Sequence, residues 1–380
     1  MYAKLKGFRL HARRVFDGFR YLENRVLTLE QGKIIAIDRE TAAADAFADG
    51  LLVPGFVDLQ VNGGGGVLFN NQPDAAALRT MASAHARFGT TAMLPTLITD
   101  KLAIMERAAD AVAQALKEKV PGIIGIHFEG PHLSEGKKGA HSEQFIRKIS
   151  EGEWRLYARK DLGQIMITLA PETVAAQDIR RLVALGVKVC LGHSNADYLK
   201  AQQAVDVGAD GFTHLFNAMS PLQGREPGMV GCALMNDNAS CGLIVDGFHV
   251  DKVSCQLALK TKPKGKIFLV TDAMSPVGTE QTEFAFFDRK VTLNQGKLTS
   301  TTGELAGSVL DMATAVRNSH DLLGLELEEA IAMASRYPAD YLGQVSLGVI
   351  KAGAAANLVL LDENLTVSGT WIRGQQVYRR

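Results

Sequence analysis

No apolar stretch in this chain approaches the length of a membrane span, which excludes a transmembrane helix. Net charge is also missing. Lys and Arg number 41, and so do Asp and Glu. No global field therefore favours nucleic acid or an anionic membrane, and any anion site must be local. Cysteine is scarce: Cys190, Cys232, Cys241 and Cys255 show no C-x-x-C spacing. Several lie in apolar runs, so buried free thiols in a reducing cytoplasm are expected rather than a disulfide framework. The opening MYAKLKGFRLHARR has no apolar core of the secretory type, so no signal peptide is expected. The run from Asn62 to Gly66 holds four glycines, but neither G-x-x-x-x-G-K-[ST] nor G-x-G-x-x-G is present. That argues against a nucleotide loop and for close approach of backbone to a ligand or metal. What is present is ordinary: 380 residues, 47% hydrophobic and 22% charged. A barrel with one appended domain fits that length.

The middle of the chain alternates short apolar runs with amphipathic stretches. Eight runs read as strands: LLVPGFVDLQV, TTAMLPTL, GIIGIHFEG, QIMITLAPE, VKVCLGHS, GFTHLFN, SCGLIVDGF and KIFLVTDAM. Helical stretches lie between most of them, with Gly89, Gly186 and Gly208 at expected C-terminal caps. Strict alternation argues for a parallel sheet, and eight repeats argue for closure into a (β/α)8 TIM-like barrel of the α/β class. Residues 1–50 and 346–380 differ from this. Both read as short strands with turns, and neither end carries a core of its own. The expectation is one small β-sandwich domain built from both termini, with the barrel over 51–345 inserted between them.

Polar residues end several of the barrel runs. Glu129, His193 and His214 come from three different strand ends. Two imidazoles and a carboxylate form an accepted shell for catalytic zinc with a position left open. A single histidine is more often a hydrogen-bonded core or surface residue, and the repetition at equivalent strand ends carries the reading. Asp272 ends the eighth run. It reads either as a cap for the next turn or as general base and acid on water activated by the metal. His141 lies on a long loop after the third run. It reads either as a solvated histidine or as a donor to a scissile carbonyl. Lys137, Lys138, Arg225 and His249 form a local cationic set in loops on the same face, and a bidentate arginine suits phosphate. Ordinary surface charge is the competing reading for at least one of the lysines.

The motifs PGFVDLQVNGGGG, LPTLIT, GIHFEGPHL, KKGAH, TLAPE, GHSNA, THLFNAM, GREPG, VDGFHVD, LVTDAM and LAGS run nearly end to end. In that order they resemble the amidohydrolase superfamily and, within it, the N-acetylglucosamine-6-phosphate deacetylase family. The C-terminal GVIKAGAAANLVLLD belongs to the same resemblance, with Asn357 where aspartate is common. The resemblance implies Glu129, His193 and His214 as ligands to one divalent metal ion per subunit: zinc first, with iron, cobalt, manganese or nickel as alternatives. It implies Asp272 as base and acid, and His141 as a contact to the acetyl carbonyl beside Ala140. Asn217, Ala218, Arg225, His249, Leu305, Ala306 and Gly307 would line a sugar-phosphate site. It further implies a cytoplasmic homodimer, with phosphate contacts crossing between subunits. The activity would be deacetylation of N-acetylglucosamine 6-phosphate, in amino-sugar catabolism and cell-wall sugar recycling. Many superfamily members carry His-x-His on the first strand and bind two metals. Here Gln60 and Asn62 stand there, and amides are poor zinc ligands, so a single metal is expected. A cyclic-amide hydrolase on the same fold and a non-catalytic sugar-phosphate-binding regulator are the competing readings. The absence of His-x-His argues against the first, and an intact ligand set with Asp272 argues against the second.

Overall fold

The computed structural model describes residues 7–39, 44–287, 289–301 and 303–380. Eight strands build its centre: Phe56–Val61, Thr90–Ile98, Gly125–Glu129, Gln164–Leu169, Lys188–Leu191, Gly211–Phe212, Ser240–Leu243 and Ile267–Leu269. Their hydrogen-bonded order is the chain order, and every neighbouring pair is parallel. Asp272 N donates to Gln60 O at 3.0 Å and Asn62 N to Ala273 O at 2.9 Å. These bonds bring the last segment against the first and nearly close the barrel. The first two strands are buried at every residue. Helices cover their outer face and side chains fill the interior, which is why they read as continuous apolar runs.

Helices between the strands follow their sequence signals. Leu102–Lys117 buries Met105, Ala108, Ala109, Val112 and Ala115 on one face, at helical spacing. Burying Met105 and Val112 stabilises that packing by roughly 1.5–3 kcal/mol each. Asp74, Asp197, Asp251 and Asp311 each accept a backbone N–H of the first helical turn. Such caps contribute about 1 kcal/mol each. Gly186, at φ +86°, leaves the helix Ala176–Ala184 by the left-handed route expected of a C-terminal glycine.

The termini meet in one seven-stranded, mostly antiparallel sheet. Its order is Gln375–Arg379, Val367–Ile372, Leu358–Leu361, Ala46–Pro54, Phe8–Phe16, Tyr21–Glu30, Lys33–Arg39. Ala46–Pro54 is the join, parallel to Phe8–Phe16 and antiparallel to Leu358–Leu361. Leu10, Leu27, Ile34, Leu52, Leu358 and Trp371 form a core separate from the barrel's. The run LLVPGFVDLQV, expected as one strand, serves two sheets. Its first half belongs to the terminal sheet and its second half to the barrel. The chain changes sheet at Gly55, where a Cβ would sit 2.2 Å from Thr91 Oγ1. Asn357 ties the two parts together: its carbonyl accepts from Gly55 N and its side chain from Arg373 N.

One element is not anticipated by the strand–helix alternation. After the eighth strand, Glu283–Phe286, Arg289–Asn294 and Lys297–Ser300 form a three-stranded antiparallel sheet. Phe284, Phe286, Val291 and Leu298 pack with Leu68, Ile98, Met274 and Ala306 above the barrel mouth. The glycine run packs closely against backbone. Gly63–Gly64 pairs with Val67–Leu68, and a Cβ on Gly63 would meet Val67 O at 2.4 Å. Its glycines serve backbone packing. All four cysteines are free and buried, as expected. Burial pushes the Cys190 thiol up to about 12, which leaves it inert. No helix among the described residues is long and apolar enough to cross a membrane.

Candidate metal centre and active site

The third, fifth, sixth and eighth strands deliver Glu129, His193, His214 and Asp272 to one mouth of the barrel. Glu129 is the last residue of its strand, and the other three follow theirs within a few residues. His193, His214 and Asp272 adopt left-handed backbone at φ +48°, +34° and +52°. Each such residue costs about 1 kcal/mol or more, so the surrounding structure must impose it. It does so through backbone bonds: Ser194 N to Ala218 O at 3.0 Å, and Ser308 N to Asp272 O at 2.9 Å.

Three donor atoms converge. Glu129 Oε1 lies 3.2 Å from His193 Nε2 and 3.0 Å from His214 Nε2, and the two nitrogens are 3.0 Å apart. All three side chains are buried. His193 Nδ1 faces the carbonyl of Lys137 at 2.9 Å and must donate to it. In the neutral ring this turns the Nε2 lone pair toward the other two atoms. The cluster therefore attracts positive charge. Burial works against ionised Glu129, but its bonds to the two imidazoles hold it well below the usual carboxylate range. Burial likewise opposes a charged His214, and Glu129 outweighs it, raising the imidazole. A divalent cation meets the same demand with one ion, so this donor set fits a metal.

Beside the cluster, Asp272 Oδ1 accepts from Asn62 Nδ2 at 2.6 Å and from Gln60 Nε2 at 3.1 Å. Gln60 Nε2 also reaches Glu129 Oε1 at 3.2 Å. The two amides that stand in place of His-x-His thus hold one oxygen of Asp272, and the other has no hydrogen-bond partner among the described residues. Burial, then the charge of Glu129, raises the Asp272 carboxyl to about 6. A buried carboxyl held by one oxygen is a candidate to take and return a proton. His141 is also defined by its neighbours. The Thr99 backbone N–H reaches His141 Nδ1 at 3.4 Å, and Thr99 Oγ1 lies 2.9 Å from the same atom. Since a backbone N–H only donates, Nδ1 accepts and the ring proton sits on Nε2. Burial, reinforced by His193, lowers this imidazole to about 3, so it is a neutral N–H donor.

These groups share a cavity of about 430 Å³, a size suited to one small ligand. Ala140, His141, Asn217, Ala218, His249, Leu305, Ala306 and Gly307 all line it with the cluster and Asp272, as does Lys137. Arg225 does not line it. It stands in the exposed segment 221–226. Lys138 pairs with Glu143 instead. Several contributors were not singled out in the sequence, although two of them lie in the quoted motifs TLAPE and VDGFHVD. Asp246 Oδ2 lies 2.6 Å from His249 Nδ1 and orients that ring. Glu172 accepts from Ser194 Oγ and Asn195 N, bracing the turn after His193. Phe286 and Glu304 reach the cavity wall from the three-stranded sheet and the segment after it.

Known proteins carry the same arrangement of fold. The chain is 53% identical over 330 residues to an N-acetylgalactosamine-6-phosphate deacetylase of Shewanella sp. (strain ANA-3), covering 87% of this chain and 84% of that one. It is 34% identical over 392 residues to an N-acetylglucosamine-6-phosphate deacetylase of Vibrio furnissii, covering 100% and 97%. Its structure superposes with TM-score 0.92 on a mutant N-acetyl-D-glucosamine-6-phosphate deacetylase of Mycobacterium smegmatis solved with N-acetyl-D-glucosamine-6-phosphate, at 30% identity and covering 98% and 99%. A model described as "Amidohydrolase family" matches residues 51–377. With the match spanning the whole barrel and continuing into the C-terminal strands, the chain is a hydrolase and belongs to the amidohydrolase family.

Proposed function

We propose that this enzyme hydrolyses the acetamide of an N-acetylated hexosamine 6-phosphate, giving the amino sugar 6-phosphate and acetate. The observation that carries the reading is the pairing, in one cavity, of a cation-seeking Glu129–His193–His214 cluster with a clamped carboxylate and a neutral imidazole N–H. A divalent cation held by the cluster, one per subunit and zinc first among candidates, would supply Lewis acidity toward the carbonyl and acidify water. Asp272 takes the proton of the attacking water through its unclamped oxygen. His141 Nε2–H stabilises negative charge as it grows on the acetyl oxygen. Asp272 then returns its proton to the leaving nitrogen as the C–N bond breaks. Gln60 and Asn62 keep the carboxylate in place through both transfers.

His249 and the backbone of residues 217–218 and 305–307 would hold the sugar phosphate. The galacto epimer is the preferred substrate in this reading, supported by the 53% identical relative of that name. The gluco epimer, which the resemblance in the motifs implies, is the second reading, supported by the 34% identical relative and the sugar-phosphate complex. A homodimer belongs to the same proposal. Exposed Leu222 lies in the Arg225 segment itself, Met235 ends the helix Gly228–Met235 that follows it, and Val253 and Leu257 lie on the helix Lys252–Thr261. A second subunit there would give Arg225 a phosphate to bind. A cytoplasmic setting is supported by the four free thiols.

The test is acetate release from both 6-phosphorylated epimers and their unphosphorylated sugars, by wild type and Arg225→Ala. A charged partner of a desolvated phosphate contributes roughly 2–5 kcal/mol. The variant should therefore lose about one and a half to four orders of magnitude in kcat/KM on phosphorylated sugars, and far less on the others. Equal losses on both classes would make Arg225 structural, and no release from any of the four sugars would overturn the function.

A further inference from the structure

We propose that Asp58 and Thr271 form a clasp across the barrel seam that positions Asp272 for proton transfer. The inference rests on the reading of Asp272 as the proton-transfer group. The seam between the first and last strands is the one place where the eight-stranded order has no strand-to-strand ladder. The first strand is also irregular on its other edge, where its register against Thr90–Ile98 shifts between Asp58 and Val61. The Asp58 carboxylate bridges that gap. Its Oδ2 accepts from Thr271 Oγ1 at 2.5 Å, and its Oδ1 accepts from Thr271 N at 3.3 Å and from Gln60 N at 3.2 Å. Asp58 thus holds two things at once. One is the residue directly before Asp272. The other is the backbone of Gln60, whose side chain donates to Asp272 Oδ1 and whose carbonyl accepts from Asp272 N.

Two further observations favour positioning over simple closure. Asp272 is left-handed, at φ +52°, so its side chain points into the mouth only while the backbone on either side is pinned. Thr271 supplies one pin through Asp58, and Ser308 supplies the other by bonding Thr271 O at 2.5 Å and Asp272 O at 2.9 Å. Asp58 is also an expensive way to close a seam. It is fully buried, and no cationic side chain pairs with it among the described residues. Burial raises its carboxyl to about 7. An apolar pair would seal the same gap without burying a carboxylate.

The experiment measures kcat, KM, bound metal and melting temperature of Asp58→Asn and Thr271→Val, alone and combined with Asp272→Asn. Each single variant should lose about tenfold to a hundredfold in kcat, the effect of one charge-assisted hydrogen bond. KM and metal content should stay within about threefold. Thr271→Ser, which keeps the hydroxyl, should restore most of the rate. In the Asp272→Asn background the loss should shrink to less than about threefold, because the group being positioned is already disabled. A loss of equal size in that background would overturn the clasp, as would a lower melting temperature with unchanged kcat. Thr271→Val carries the same comparison if Asp58→Asn does not fold. If wild type is inactive on both phosphorylated epimers, the function itself fails and the clasp with it. If wild type and Asp272→Asn behave as proposed while the clasp variants keep full kcat, the clasp alone fails.

Discussion

Replacing Asp246 by Asn tests the proposed contact of His249 with the phosphate of the substrate. His249 lines the cavity, and its Nδ1 lies 2.6 Å from Asp246 Oδ2. Both side chains are largely buried, 8% and 9% exposed. The other Asp246 oxygen accepts from Phe248 N and His249 N, at 2.8 and 2.9 Å. Burial raises the Asp246 carboxyl, but the bond and charge of His249 outweigh it and hold the group below its ordinary value. In the complex proposed above, Asp246 takes Nδ1–H and the phosphate takes Nε2–H. Asparagine keeps the backbone bonds through its remaining oxygen. Its NH2 group, however, faces Nδ1, so the ring must present a lone pair there and carry its proton on Nε2 as a neutral donor. The bond to phosphate stays charge-assisted through the anion, but the ring now brings one proton where that complex has two, a loss of about 1–1.5 kcal/mol, the size of one net hydrogen bond. At 1.4 kcal/mol per tenfold, KM for a 6-phosphorylated sugar should rise about five- to twelvefold. Steady-state acetate release on phosphorylated and unphosphorylated sugars reads this out, and KM for the unphosphorylated sugar should stay within about twofold. An equal rise on both, or none on either, would refute the assignment of His249 to phosphate.

Asp272→Asn should lower kcat by roughly two to four orders of magnitude with metal content unchanged, and near wild-type turnover would place proton transfer elsewhere. Metal analysis after chelation and reconstitution should approach one divalent ion per chain, because Gln60 and Asn62 are occupied with Asp272 and a second site lacks imidazoles. A reproducible two, both needed for turnover, would contradict that account. Lys262 is a structural counterpart. Its buried Nζ donates to the carbonyls of Ala233 at 3.0 Å and Ala239 at 2.7 Å, and also to Asn236 O, at the end of the helix Gly228–Met235. Lys262→Met should destabilise the fold by about 2–4 kcal/mol in a urea titration, since it leaves these carbonyls without a donor. A change under about 0.5 kcal/mol would show that water replaces the ammonium.

The barrel and the cluster at its mouth are legible along the chain because they repeat. A strand buried on both faces is a short apolar run, and a helix covering it shows 3.6-residue spacing. The end of each run is therefore visible as the place where polarity returns. Glu129, His193, His214 and Asp272 stand at such ends, so adjacency in the fold follows from equivalence in the repeat. Tertiary structure decided the rest, because it depends on partners far apart in sequence with no common period. Ala46–Pro54 lies between Phe8–Phe16 and Leu358–Leu361, a neighbour set that no local pattern encodes. The sheet over 283–300 interrupts the repeat. Arg225 belongs to the motif set yet stands in a wholly exposed segment away from the cavity, since a motif names a residue and not its surroundings. The chemistry of the site was settled in the same way. His141 is a donor at Nε2 because Thr99 occupies Nδ1, and His193 presents Nε2 because Lys137 O takes its other proton. Gln60 and Asn62 become a clamp because the seam brings Asp272 to them. Residue type restricts what each group can do, but which proton it carries is fixed by the neighbours that folding assembles around it.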